Sequence, residues 1–119
     1  MAVTLYGIPN CDTVKQARSW LAAAQIEVAF HDFKKAGLTS AIIAEWLQTV
    51  DWQLLVNKRG TTWRKLPPTE QLAVLDTASA LQCMLKSPSV IKRPVLVLGS
   101  GEILVGYSAE KYQAAFAAN

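Results

Sequence analysis

Cys11 closes the run Tyr6-Gly7-Ile8-Pro9-Asn10 and is followed by Asp12 and Thr13. A thiol does chemistry as its thiolate, and the start of a helix favours that form because unpaired N–H groups and the positive end of the dipole face the sulfur. The local pattern supplies this setting. Upstream, Val3-Thr4-Leu5-Tyr6 is a short β-prone run broken by Gly7, Pro9 and Asn10. Downstream, Val14, Ala17 and Leu21 recur at helical spacing, which predicts a helix from near Cys11 to about Ala24. Asp12 opposes the effect, since a carboxylate beside a thiolate repels it. The helix terminus, with basic groups brought from elsewhere in the chain, is expected to prevail. The chemistry this predicts is nucleophilic attack by sulfur.

A second group of interest is Arg93-Pro94, which leads into Val95-Leu96-Val97-Leu98. Proline is awkward inside a central strand, so at a strand entrance it marks a special turn, and the bond before it is a candidate for the cis form. An arginine fork there suits an oxyanion or a carboxylate and also favours a thiolate. The remaining reactive side chains read as structural. Cys83 lies among Leu81, Met84 and Leu85 in a helical pattern, which predicts a small core residue rather than a resolving thiol. His31 falls on a predicted strand as a packed or edge residue rather than an acid or base. Trp46 is expected in the core and Trp63, between Thr62 and Arg64, at the thiol pocket. Two cysteines and one histidine make neither a disulfide framework nor a zinc set, so no metal is expected.

The elements that must position these groups follow from periodicity. Ile26 to Asp32 alternates as a second strand, and strand, helix, strand predicts a parallel βαβ unit with a right-handed crossover. After the turn Lys34-Lys35-Ala36-Gly37, Thr39 or Ser40 caps a helix whose apolar face is Ile42, Ile43, Trp46, Leu47 and Val50. From Asp51 to Leu85 strand signals are poor. Asn57 to Thr62 reads as a basic loop, Pro67-Pro68 as a break or helix start, and Thr77 to Leu85 as a helix closed by Ser87-Pro88. Val95–Leu98, Gly99-Ser100-Gly101 and Ile103–Val105 read as a β-hairpin, followed by a helix capped by Ser108 that carries Tyr112, Ala115 and Phe116. This order predicts an α/β protein of the thioredoxin/glutaredoxin type with a helical insertion between the βαβ unit and the C-terminal β-hairpin plus helix. A single domain, 1–119, is expected, with a thioredoxin-like core of about 1–40 and 88–119 and an insertion of about 41–87.

Composition narrows the partners. An apolar fraction of 51% argues against disorder. No apolar run approaches a membrane span, and Met1-Ala2-Val3-Thr4-Leu5 lacks the features of a signal peptide, which predicts a cytoplasmic protein with no membrane partner. The net charge of +3 is spread over Lys34-Lys35, Lys58-Arg59, Arg64-Lys65 and Lys92-Arg93. Such scattered pairs suit anionic substrates or peptide carboxylates better than nucleic acid, which is not expected to bind directly.

Three blocks, Leu5 to Thr13, Asn57-Lys58-Arg59-Gly60-Thr61-Thr62-Trp63-Arg64-Lys65-Leu66, and Pro88-Ser89-Val90-Ile91-Lys92-Arg93-Pro94-Val95, are together similar to the arsenate-reductase-related (ArsC) family, in its branch of Spx and YffB-like proteins. The similarity extends over nearly the whole chain. The resemblance implies a nucleophile at Cys11, with Arg59 and Arg93 lining the thiol pocket and Pro94, Thr13 and Asn10 completing the substrate- or anion-binding set. The arsenate reductases of this family carry a histidine before the loop proline, a glycine after the cysteine and a third arginine after the last strand. This chain has Gly7 or Ile8, Asp12, and Gly106-Tyr107 in those places. Spx-type regulators carry Cys-x-x-Cys, and Val14 stands at the second position here, which excludes a local disulfide switch. The function expected is therefore a monothiol oxidoreductase, monomeric and without a bound cofactor. Glutathione serves as co-substrate, and the partner is glutathione or a small-molecule or protein thiol. The alternatives are an arsenate reductase and a non-enzymatic, Spx-like interaction protein.

Overall fold

A computed structural model describes residues 2–117. In chain order the elements are β1 (Thr4–Gly7), α1 (Asp12–Ala23), β2 (Ala29–Asp32), α2 (Ser40–Leu47), α3 (Trp52–Leu55), α4 (Thr61–Lys65), α5 (Pro68–Leu72) and α6 (Thr77–Lys86), then a 3-10 turn (Pro88–Val90), β3 (Val95–Val97), β4 (Ile103–Val105) and α7 (Ala109–Ala117). They divide into two compact units, one of residues 1–37 and 93–119 and one of residues 38–92.

The first unit is built on a four-stranded sheet in the order β2-β1-β3-β4. β1 and β2 are parallel, as a βαβ unit requires, while β3 is antiparallel to both β1 and β4. The register sets Phe30, Leu5, Leu96 and Leu104 side by side across the four strands. Residues that share a register row share a face. That row meets Val14, Ala17 and Leu21 from α1 and Tyr112 and Ala115 from α7 in one apolar cluster. Leu5, Val14, Ala17, Leu21, Leu96 and Tyr112 are all fully buried. Burial of a leucine side chain such as Leu21 contributes about 1.5–3 kcal/mol, so the spacing of these residues along α1 is what holds the helix on the sheet. The terminus of α1 that carries Cys11 is held by the same packing.

β2 is shorter than its alternation suggests. The amide of Ile26 donates to the carbonyl of Leu21, and Gln25 turns the chain with a φ of 58°, so residues 25 and 26 still belong to the helix ending. Pairing with β1 begins at Ala29, whose N–H donates to Val3.

In the second unit α6 packs against α2, α3 and the 3-10 turn. Ile43, Trp46, Leu55, Trp63, Ala80 and Met84 are buried, Trp46 among them as its helical spacing predicts. Thr39 caps α2 by accepting from the Ile42 amide. Asp76 caps α6 through a reciprocal box with Ser79. The basic segment expected as a loop is divided, with a turn at residues 57–60 and α4 starting at Thr61.

Candidate functional site

Cys11 is the N-cap of α1, with extended backbone (φ −125°, ψ 125°), and its carbonyl accepts the first helical bond from the Lys15 amide. The preceding strand reaches this point through a close approach. A β-carbon at Gly7 would lie 2.8 Å from Cγ2 of Val14, so only glycine lets the first turn of α1 sit so near the end of β1.

The half-buried Cys11 thiol lies 3.2 Å from the Thr13 hydroxyl, and that hydroxyl donates to the main-chain carbonyl of Arg93 at 3.1 Å. Burial raises the Cys11 pKa, but the neighbouring Thr13 hydroxyl, the backbone at Val14 and the guanidinium and charge of Arg93 act the other way, outweigh it and bring the thiol below its ordinary value. The direction expected from a helix terminus and a basic group is thus present, and Arg93 is the basic group. Asp12 is exposed at the first helical position.

Arg93 stands at the entrance to β3, and the Arg93-Pro94 peptide bond is cis. The Pro94 carbonyl accepts from the Gly106 amide, which fixes the turn against the start of the β4–α7 connection. Of the residues singled out from sequence, Cys11, Thr13, Arg93 and Pro94 therefore gather at the junction of α1 and β3. Asn10 is exposed on the turn just before Cys11. Arg59 lies in the second unit, exposed on the turn before α4, where its amide donates to Oδ1 of Asn57.

The other side chains considered have structural settings. Nε2 of His31 bonds the Gly37 carbonyl at 2.6 Å, and its ring packs on Tyr6 with centroids 4.7 Å apart. Trp63 is buried in the second unit, and Nζ of Lys58 lies 5.5 Å from the ring centroids of both Trp52 and Trp63. Cys83 differs from its expected place in the core. It is half-buried and lines an apolar cleft of about 290 Å³ with Leu66, Val74 and Lys86. Burial, together with the carboxylate of Glu70, pushes its pKa up despite the opposing charge of Lys86. The two thiols are therefore shifted in opposite directions.

Sequence reasoning placed Thr13 with the substrate contacts but missed its bond to the carbonyl of Arg93. The two residues are 80 positions apart, and no local pattern encodes their pairing.

The model of the ArsC family matches residues 6–115. The chain belongs to this family. A solved structure of a protein named YffB is 45% identical, covers 96% of this chain and 98% of its own, and superposes with a TM-score of 0.90. An arsenate-reductase-related protein of known structure from Brucella melitensis is 47% identical over 98% of this chain and 95% of its own, with a TM-score of 0.75. The global transcriptional regulator Spx of Listeria innocua is 25% identical over 92% of this chain and 82% of its own. The chain shares the thioredoxin-like α/β fold of these solved structures. Among the described residues no helix is long and apolar enough to cross a membrane, and no group of three or more His, Cys, Asp or Glu could hold a metal.

Proposed function

We propose that this protein is a cytoplasmic, glutathione-dependent monothiol oxidoreductase. The observation that carries the reading is the Cys11 sulfur at the N-cap of α1, 3.2 Å from the Thr13 hydroxyl and shifted toward the thiolate with help from the positive charge of Arg93. The thiolate attacks the glutathionyl sulfur of a mixed disulfide R–S–S–G. A disulfide bond forms between Cys11 and the glutathionyl sulfur, the S–S bond of R–S–S–G breaks, and the leaving thiolate R–S⁻ takes a proton from water. A second glutathione, as its thiolate, then attacks the glutathionyl sulfur on Cys11, releasing oxidised glutathione and the Cys11 thiolate. Glutathione is oxidised and the substrate thiol is reduced, with no resident cofactor required. Arg93 favours both the starting and the regenerated thiolate. Arg59, exposed and cationic, is proposed as an attracting group for the carboxylates of glutathione, on the strength of the family resemblance.

Arsenate reduction is a second reading, favoured by the 47% identity to a protein named for its relation to arsenate reductase. A Spx-like regulatory role is less favoured, because Val14 stands where a local disulfide partner of Cys11 would have to be. Mass spectrometry after exposure to oxidised glutathione tests the proposal. One glutathione attached at Cys11, absent in Cys11→Ser and removed by reduced glutathione, is expected. No adduct, or one confined to Cys83, would count against the function.

A further inference from the structure

Between the nucleophile and the entrance to β3 lies the Thr13 hydroxyl. The Thr13 side chain lies 3.2 Å from the Cys11 sulfur and 3.1 Å from the carbonyl oxygen of Arg93. A threonine hydroxyl has one proton and two lone pairs, so it donates one hydrogen bond at a time while accepting others. When Cys11 carries its own proton, the S–H donates to Oγ1 and the hydroxyl proton points at the carbonyl of Arg93. When Cys11 is a thiolate, the sulfur has no proton to give and becomes the stronger, charged acceptor.

We propose that Thr13 is a positioning residue whose hydroxyl turns from the Arg93 carbonyl to the Cys11 sulfur as the thiol ionises. The inference rests on Cys11 being the working nucleophile. The proton lost by Cys11 goes to solvent. The Thr13 proton stays on its own oxygen and only changes direction, so no bond other than the S–H is broken. The consequence is that the thiolate gains a charge-assisted hydrogen bond without backbone movement, while the Arg93 carbonyl gives up its bond from Thr13. The charged and titratable groups around this junction are Asp12 and Lys15 on α1, Arg93 at the start of β3 and Tyr107 in the β4–α7 connection, which packs against the same apolar cluster as Cys11. The downward shift of the Cys11 pKa, to which the Thr13 hydroxyl contributes, accords with this arrangement.

The test compares wild type, Thr13→Val and Thr13→Ser. Valine keeps the shape of the side chain and removes the hydroxyl, while serine restores the hydroxyl without the methyl. In Thr13→Val the Cys11 titration is expected to move upward, lowering the rate of glutathionylation at neutral pH about threefold to tenfold, and the deficit should vanish at high pH. Thr13→Ser should retain most of the wild-type rate. The second reading is the carbonyl-carbon NMR shift of Arg93. It should titrate with the midpoint of Cys11 in wild type and Thr13→Ser, and lose most of that change in Thr13→Val. A rate loss that persists at high pH, or an Arg93 carbonyl that follows Cys11 equally well in Thr13→Val, would overturn the hydroxyl switch and leave the role of Cys11 standing. A wild-type Cys11 that does not react with oxidised glutathione at any pH would instead overturn the oxidoreductase reading on which the switch rests.

Discussion

The Thr13 hydroxyl donates to the main-chain carbonyl of Arg93 at 3.1 Å, joining the first turn of α1 to the entrance of β3. Through that bond the residue that shapes the thiol environment and the residue that supplies its positive charge are held together. The approach is fixed from behind by the apolar cluster of Leu5, Val14, Ala17, Leu21 and Leu96.

The guanidinium of Arg93 and its charge favour the ionised form of Cys11. The sulfur is only half-buried and solvent screens the interaction, so Arg93→Ala should lower glutathionylation at neutral pH about threefold to tenfold. Arg93→Lys should recover part of the loss, since it keeps the charge and not the fork. Stopped-flow rates across pH check this, with the deficit shrinking as the solution pH ionises the variant thiol. A variant rate equal to wild type at neutral pH would remove Arg93 from the mechanism.

The opposite shifts of the two thiols predict selective labelling. Cys11 is brought toward the thiolate and Cys83 is held as the thiol by burial and Glu70. Under limiting iodoacetamide at neutral pH, peptide mapping should find Cys11 alkylated well before Cys83. Cys83→Ser should turn over disulfide substrate at nearly the wild-type rate, and accumulation of the Cys11 mixed disulfide in that variant would make Cys83 the resolving thiol instead.

Gly7→Ala sets a β-carbon against Val14, which must shift with the first turn of α1. Overpacking of this kind costs about 1–3 kcal/mol, to be read by denaturant unfolding. Trimming the neighbour in Gly7→Ala/Val14→Ala should relieve the clash, so the two changes together are expected to be less destabilising than the sum of each alone. Strict additivity would mean that Gly7 and Val14 do not meet.

Arsenate should be turned over weakly. The arsenate reductases this chain resembles carry a third arginine after the last strand, where Gly106 and Tyr107 stand here. One missing charge-assisted bond lowers the rate by roughly one to two orders of magnitude relative to a complete site. Glutathione-coupled assays of arsenate and of a small mixed disulfide, run side by side, compare the two. Efficient arsenate turnover that is abolished in Arg93→Ala would reverse the ranking of substrates.

Much of the first unit was legible because short-range rules govern it. The turn residues Gly7, Pro9 and Asn10 end β1, and Val14, Ala17 and Leu21 carry the helical period onto the sheet, each fully buried as that period requires. The hairpin of β3 and β4 and the caps at Thr39 and Asp76 obey equally local chemistry, although the Asp76–Ser79 box went unread. α3 was not legible, since four residues are too few to establish a period, whereas Pro67-Pro68, read as a break or helix start, does open α5. Cys83 was misplaced because its apolar neighbours along α6 describe the helix face and not the cleft beside it. At the site, the thiol and the cis-proline turn were visible in sequence. The hydroxyl bridge between them was not, because it is a property of tertiary packing between residues 80 positions apart.

The central claim is that the fold brings Cys11 to its thiolate, and the most direct measurement is the ultraviolet absorbance of the thiolate against pH for wild type and Cys11→Ser. Thr13, the Val14 amide and Arg93 stabilise the ionised form against the opposing effect of burial, so the folded pKa lies below that of the unfolded chain. The stabilisation is therefore present above the unfolded value and is lost as pH falls through the folded one. The account predicts a titration below the ordinary thiol range that disappears in Cys11→Ser and leaves the higher titration of Cys83 in place. A Cys11 midpoint at or above that of an unperturbed thiol would contradict it.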